Sequence, residues 1–369
     1  MKTVDIIAGA RPNFMKIAPI IRALERRKTE GGALRYRLVH TGQHYDARMS
    51  GDFFTQLGIP EPHVNLEVGS GSQAEQTASI MVRYEKLLQE ARSDVCLVVG
   101  DVTSTMACAI AAQKLGVPVA HVEAGIRSGD WSMPEEINRM VTDSITNWFF
   151  TTSEVANANL RKSGVEDERI FFVGNTMIDT LLANIDRLQK PDFWDALGLK
   201  AGEYFVVTLH RPANVDKGDG FARLLRAIAE STRGLPVVFP VHPRTARTLR
   251  DLGEVPDSFR LVDPQPYLEF NYLVRHAMAV ITDSGGITEE TTVMGVPCLT
   301  LRDSTERPET VTVGTNVLIG TDPSKLQPAM DVLFAGNWKK GAVPALWDGQ
   351  TAPRIVAALE RLLSPVAAG

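Results

Sequence analysis

The chain has 369 residues, 44% of them hydrophobic and 22% charged, with a formal net charge of −5. That length and apolar content suffice for two domains of ordinary size, and an acidic balance without long Lys/Arg runs argues against a nucleic-acid partner. No apolar run reaches membrane-spanning length, and Met1–Ile7 enters a strand pattern without a signal-peptide profile, so a cytoplasmic protein with no membrane partner is expected.

Taken in order, Val4–Ala8 reads as a strand and Phe14–Arg27 as a helix with apolar residues at Met15, Ile17, Ile20, Ile21 and Leu24. Tyr36–Thr41 is the next strand, followed by a polar loop at Gly42–Tyr45. A helix near Gln73–Ala91 leads to the strand Val95–Val99 and then to Gly100-Asp101. The alanine-rich Thr103–Leu115 is helical, Val117–Val122 is a strand, and Pro134 opens a helix to Ile145. Trp148–Thr152 and Ile170–Val173 complete a parallel series. Cys96, Cys108 and Cys298 lie in apolar surroundings without CxxC spacing and read as buried, reduced thiols.

The pattern restarts after a helix near Met177–Gln189. Strands are expected at Tyr204–Leu209, Val237–Val241, Phe259–Val262, Met278–Thr282 and Val296–Leu301, with helices between and a last helix at Ala352–Leu363. The expected fold is α/β, two Rossmann-like doubly wound domains facing an interdomain cleft in a GT-B-like arrangement. The domains are set at residues 1–175 and 176–350, with 351–369 a helix that can return to the first. Such sheets bind ligands beyond the carboxyl ends of their strands.

Polar groups follow strand after strand: Arg11, Gln43-His44, Asp101, Glu123, His210-Arg211, His242-Arg244 and Asp283. Each alone fits a solvated turn; together they share one rim of their sheets. Arg11 and Lys16 bracket a helix start and can meet a phosphate, although Gly9–Lys16 is neither GxGxxG nor a Walker A loop. Asp101 serves as readily for a helix N-cap as for catalysis. Glu123 and Glu135-Glu136 bracket the loop 125–133, and two carboxylates in different surroundings can divide acid and base roles. An acid after Pro134 is also what any helix start favours. His210 can titrate near neutrality, while His40, His63 and His276 lack supporting neighbours and read as structural. No ligand spacing suggests a metal.

Thr282-Asp-Ser-Gly-Gly-Ile-Thr-Glu-Glu290 follows an apolar strand. A helix opening at Ser284-Gly285-Gly286 aims unpaired N–H groups and its positive dipole end at an anion, and glycine allows close approach. Glu290, about 8 Å further along the helix, suits ribose hydroxyls better than a phosphate.

Ordered blocks along nearly the whole chain resemble the non-hydrolysing UDP-N-acetylglucosamine 2-epimerase family. They include Gly9–Lys16, Thr41–Asp46, Gly100–Thr105, His121–Ser128, Met133–Arg139, Gly174–Asp179, Thr208–Pro212, Val241–Arg244, Thr282–Ile287 and Arg302–Glu309. The resemblance implies interconversion of UDP-GlcNAc and UDP-ManNAc by anti elimination of UDP to 2-acetamidoglucal and re-addition, with no cofactor. It also implies a UDP-sugar partner, a homodimer and a role supplying ManNAc to surface polysaccharide synthesis.

By position, the resemblance implies Asp101, Glu123, Glu135 and His210 as the catalytic group. Arg11, Lys16, Gln265, Phe270, Ser284, Gly285, Gly286, Glu290 and Arg307 match its substrate contacts. Gln43, Arg211 and His242 match part of a regulatory UDP-GlcNAc site. Where the family often shows His-Arg-x-Glu-Asn, this chain has His210-Arg-Pro-Ala-Asn214, so the role of that glutamate is lost. Tyr45-Asp46 departs from the pattern of the best-regulated members. Epimerases of a UDP-diacetamido-uronate and hydrolysing epimerases resemble the same pattern, and retaining UDP-glycosyltransferases share the architecture. A non-catalytic nucleotide-sugar binding protein would keep the UDP cradle and lose the carboxylates.

Overall fold

The computed structural model describes residues 1–42, 56–215, 218–241, 243–252 and 255–364. The chain divides into two compact units, Met1–Ala183 with Ala345–Gly369, and Asn184–Pro344. No helix among the described residues is long and apolar enough to cross a membrane.

Unit 1 holds β1 (Lys2–Ala8), β2 (Leu34–His40), β3 (Val64–Asn65), β4 (Val95–Val99), β5 (Val119–Val122), β6 (Trp148–Thr151) and β7 (Ile170–Phe172). They form one sheet in the order β3-β2-β1-β4-β5-β6-β7, with every pairing parallel. A parallel sheet covered by helices on both faces needs strands apolar throughout. Val95-Cys-Leu-Val-Val99 meets that demand, since all five residues are buried. The Gln73–Glu90 helix starts with a capping box in which Ser72 and Glu75 exchange hydrogen bonds. Its Ile80, Tyr84 and Leu88 pack into one apolar cluster with Cys96, Ala107, Cys108 and Ala111. Small side chains along Thr103–Lys114 let that helix lie close to the sheet.

Unit 2 repeats the plan with β8 (Phe205–Thr208), β9 (Val237–Pro240), β10 (Phe259–Val262), β11 (Ala279–Thr282), β12 (Cys298–Thr300) and β13 (Asn316–Leu318). Their order is β10-β9-β8-β11-β12-β13, again parallel throughout. In each sheet the strand order reverses beside the unit's first strand, between β1 and β4 and between β8 and β11. Connections leave in opposite directions there and open a crevice at the carboxyl ends. The predicted strands occur within a residue or two at each end; β3 and β13, two and three residues long, are additions. All three cysteines are buried and free of disulfides.

The block Gly174–Asp179 has a structural use. Gly174 has φ 103°, and a Cβ there would overlap the Leu346 carbonyl oxygen. Asp179 is buried and accepts hydrogen bonds from the N–H groups of Thr351 and Ala352, at 3.1 and 2.7 Å. It thereby caps the Thr351–Leu363 helix, which packs in unit 1 against Arg11–Thr29 through the Arg27–Glu360 ion pair. Replacing Asp179 by Ala leaves two buried donors unmet and is expected to cost about 1–3 kcal/mol. Urea unfolding checks this; an unchanged midpoint would remove the cap from the account.

Candidate active site

In unit 1 the polar residues gather where β1, β4 and β5 end. Gly100 has φ 71°, and a Cβ on it would lie 3.2 Å from Lys16 Nζ and 3.9 Å from Glu123 Oε2. Lys16 reaches that point from the first turns of the Arg11–Thr29 helix and pairs with Glu123 at 2.7 Å. Glu123 is buried and has φ 68°, a backbone region that side chains other than glycine rarely occupy. The conformation is fixed from several sides. The N–H groups of Glu123 and Ala124 both donate to the Phe150 carbonyl, at 2.9 and 3.2 Å. Gly125 N donates to Asp143 Oδ2 at 3.1 Å, and a Cβ on Gly125 would strike the Ala156 carbonyl oxygen.

Asp101 is not a helix cap: the N-cap of Thr103–Lys114 is Val102, without a side-chain bond. Its Oδ2 instead accepts from Arg139 Nε and Nη2, at 3.1 and 2.5 Å, and its carbonyl accepts from Asn138. Arg139 Nη1 donates to Glu136 at 2.7 Å. Glu136 also accepts from Ser128 N, Ser128 Oγ and Gly129 N, and so secures the loop 125–133. Burial alone would raise Glu136, but the Ser128 N–H, Arg139 and the Gly129 N–H hold it below the usual glutamate range. Its neighbour Glu135 is half-exposed. The adjacent acids are therefore distinct, Glu136 a structural anchor and Glu135 a carboxylate at the rim.

Sequence reasoning passed over His121. It is fully buried, with Nδ1 2.7 Å from Asp143 Oδ1 and Nε2 2.8 Å from the Gly100 carbonyl. Asp143 also pairs with Arg127 at 2.6 Å. This network ties the turn bearing Asp101 to the turn bearing Glu123. The one sequence signal was a histidine in an otherwise apolar strand.

In unit 2 the polar residues gather at the ends of β8 and β11. Asp283 is fully buried and accepts from the N–H groups of His210 and Arg211 and from Asn214 Nδ2. His210 Nδ1 lies 2.8 Å from Asp283 Oδ1, and the imidazole is 56% exposed. Burial would raise Asp283, yet contact with His210 and the bonds from Asn214 and the Arg211 N–H keep it below the ordinary aspartate range. A histidine so held at Nδ1 has Nε2 available for a ligand.

The Gly285–Met294 helix begins as expected, with Ser284 extended at the N-cap and making no side-chain cap bond. Glu290 is buried within it and accepts from Tyr267 Oη at 3.0 Å and Asn271 Nδ2 at 3.4 Å. Burial, offset only in part by those donors, pushes Glu290 up to about 7. Arg307 is buried and paired with Glu289. Gln265 and Phe270 flank the start of the Tyr267–His276 helix, Gln265 bonding the Asp263 carbonyl and Phe270 packing on an apolar cluster. Arg211 lies 3.6 Å from Glu306. Gln43 and His242 lie outside the described residues, as does the side chain of Arg11.

Comparison with known proteins accords with this layout. The family model described as UDP-N-acetylglucosamine 2-epimerase matches residues 25–360. A protein of that name from Methanocaldococcus jannaschii is 39% identical over 366 residues, 96% of this chain and 97% of the relative. The crystal structure of the M. jannaschii UDP-GlcNAc 2-epimerase in complex with UDP-GlcNAc and UDP matches with a TM-score of 0.86 at 39% identity, covering 97% of this chain and 99% of that one. A Pseudomonas aeruginosa UDP-2,3-diacetamido-2,3-dideoxy-D-glucuronate 2-epimerase is 40% identical over 324 residues, 87% of this chain and 88% of the relative.

The His121–Asp143 network makes a pH prediction. Burial would raise Asp143, but the His121 and Arg127 contacts hold it below its ordinary value. A carboxyl depressed by folding contributes stability above its unfolded pKa of about 4, lost as pH falls through the folded value. The stability gap between wild type and Asp143→Asn is expected to be widest at neutral pH and to shrink as pH falls below about 4. Urea melts at a series of pH values measure it, and a gap independent of pH contradicts the assignment.

Proposed function

The chain belongs to the UDP-N-acetylglucosamine 2-epimerase family, and from that footing we propose that it interconverts UDP-GlcNAc and UDP-ManNAc. The observation that carries the reading is the set of carboxylates at the ends of β4 and β5: Asp101 secured by Arg139 and Glu123 by Lys16, with Glu135 at the rim. A protein that only bound nucleotide sugars would need none of them.

In this reading a carboxylate among Asp101, Glu123 and Glu135 takes the proton from C2 as the C1–O bond breaks. The bonding electrons leave with the diphosphate, UDP departs and 2-acetamidoglucal remains. Return of a proton to the opposite face of C2 and re-addition of UDP at C1 give the epimer. Asp101 beside Arg139 and Glu123 beside Lys16 stand in different surroundings, as acid and base roles on two faces require. Lys16 and Arg139 also bring cationic charge close to the reacting groups. No hydride moves, so a redox cofactor has no part.

The UDP half of the substrate is assigned to unit 2. The N–H groups at Ser284–Gly286 hold the diphosphate, and His210, oriented by Asp283, assists beside it. Glu290 accepts the ribose hydroxyls, while Gln265, Phe270 and Arg307 add nucleotide contacts; a nucleotide contact from Arg11 rests on motif position alone. A regulatory role for Gln43, Arg211 and His242 rests on motif position alone. A cytoplasmic location, a homodimer and the supply of ManNAc units to surface polysaccharide synthesis belong to the same proposal. Sedimentation tests the dimer.

The Pseudomonas relative at 40% identity supports one alternative substrate, the UDP-diacetamido-uronate. NMR-monitored reactions with both nucleotide sugars separate the cases. UDP-ManNAc from UDP-GlcNAc is the expected product; free ManNAc indicates hydrolysis, and turnover of the uronate alone reassigns the substrate.

Two residue-level outcomes follow. Glu123→Gln should lower turnover by about two orders of magnitude or more with UDP affinity within several-fold; loss of UDP binding with normal turnover would reassign Glu123. Glu290, raised to about 7 by burial, is ionised above that pH. Ribose hydroxyls can donate to both oxygens of a carboxylate but not of the protonated acid, so uridine should bind up to about tenfold more tightly at pH 8 than at pH 6. Calorimetry with wild type and Glu290→Gln measures this; the variant should lose the dependence, and a flat wild-type profile excludes Glu290 as the ribose acceptor.

A further inference from the structure

Arg302 is the first residue of the block Arg302–Glu309. It stands two residues beyond β12, whose Leu299 and Thr300 pair with Ile281 and Thr282 of β11. Leu301 N continues the ladder to the Thr282 carbonyl at 2.8 Å. That register puts Arg302 alongside the turn Asp283–Gly285, where the Gly285–Met294 helix begins.

The side chain is 95% buried, with 5% relative exposure. Nη1 donates to Glu306 Oε2 at 2.6 Å. Nη2, also buried, has no hydrogen-bond acceptor among the described residues. A Cβ built on Gly285 would lie 3.8 Å from Arg302 Nη1 and 3.9 Å from Glu306 Oε2. The guanidinium is therefore in van der Waals reach of the space over the helix start that glycine keeps clear.

We propose that Arg302 is a diphosphate-binding residue, its guanidinium beside Gly285 completing the anion cradle formed by the N–H groups of the Gly285–Met294 helix. The assignment rests on the nucleotide-sugar reading and extends it to a residue outside the matched contacts. Three physical features support it. A buried guanidinium nitrogen without an acceptor is costly, and a phosphate oxygen meets that need. The planar fork can hold Glu306 with one nitrogen and a phosphate with the other, which a lysine ammonium does less well. Glu306 faces two arginines, Arg302 and, at 3.6 Å, Arg211, so this trio keeps a positive charge at the mouth of a positive helix end. Glu306 thus fixes the arginine in place without cancelling its attraction for an anion.

Calorimetry on the full chain with UDP and uridine tests this, because uridine has the base and ribose but no diphosphate. Arg302→Met should weaken UDP by about 10- to 100-fold while uridine affinity stays within about twofold, the tolerance expected of a remote contact. Arg302→Lys should fall between wild type and Arg302→Met. Because Arg302→Met strands the Glu306 carboxylate, the double variant Arg302→Met with Glu306→Gln is measured beside it, and decides the matter if the single variant does not fold. UDP affinity within about threefold of wild type in the double variant overturns the assignment. So does an equal loss of UDP and uridine, which marks a structural role. Wild-type protein that binds no UDP contradicts the nucleotide-sugar reading itself, and this assignment with it.

Discussion

One buried carboxylate organises unit 2. Asp283 follows β11 and accepts from the backbone of His210 and Arg211 and the side chain of Asn214, all of which follow β8. β8 and β11 are the strands between which the order of the sheet reverses. The same side chain therefore closes the base of the crevice and orients His210. With Asp283 turned to the β8 loop and Ser284 making no cap bond, the first N–H groups of the Gly285–Met294 helix are left without a side-chain cap from either residue. Asn214, the last residue of His210-Arg-Pro-Ala-Asn214, reaches Asp283 with its own amide.

Unit 1 meets the same topological requirement by other means. Its reversal falls between β1 and β4, and two turns with positive φ, at Gly100 and at Glu123, shape the carboxyl end of the sheet. A non-glycine residue held in that region costs about 1–3 kcal/mol and persists only where its surroundings over-determine it. The Phe150 carbonyl, Asp143 and the close approach of Gly125 to the Ala156 carbonyl supply that constraint. Carboxylate and cation then alternate, Glu123 with Lys16 and Asp101 with Arg139, so charge is buried in pairs. Adjacent residues on one helix take different tasks, Glu136 in fixing a loop and Glu135 at the rim.

Much of this was legible in the sequence because doubly wound sheets write themselves as apolar runs ending in polar residues. Strands such as Val95–Val99 and the glycine-opened helix at 285 needed no tertiary information. The short edge strands β3 and β13 did not show, since two or three residues at a sheet margin carry no periodicity. Nor could spacing separate Asp101 as an N-cap from Asp101 as a partner of Arg139, 38 residues away. His121 was hidden by its own strand, and Arg302 by a block matched only as a block. The misses at Asp101 and His121 share one cause: their partners, Arg139 and Asp143, lie on a helix brought alongside by the fold, which local pattern does not contain.

The central claim is that carboxylates held in unit 1 move the proton at C2 of a UDP-sugar. The most direct measurement is NMR of UDP-GlcNAc incubated with the wild-type protein in deuterium oxide. The account predicts loss of the C2 proton signal together with the appearance of UDP-ManNAc carrying deuterium at C2. Bound UDP-GlcNAc that keeps its C2 proton indefinitely, with no epimer formed, would contradict it.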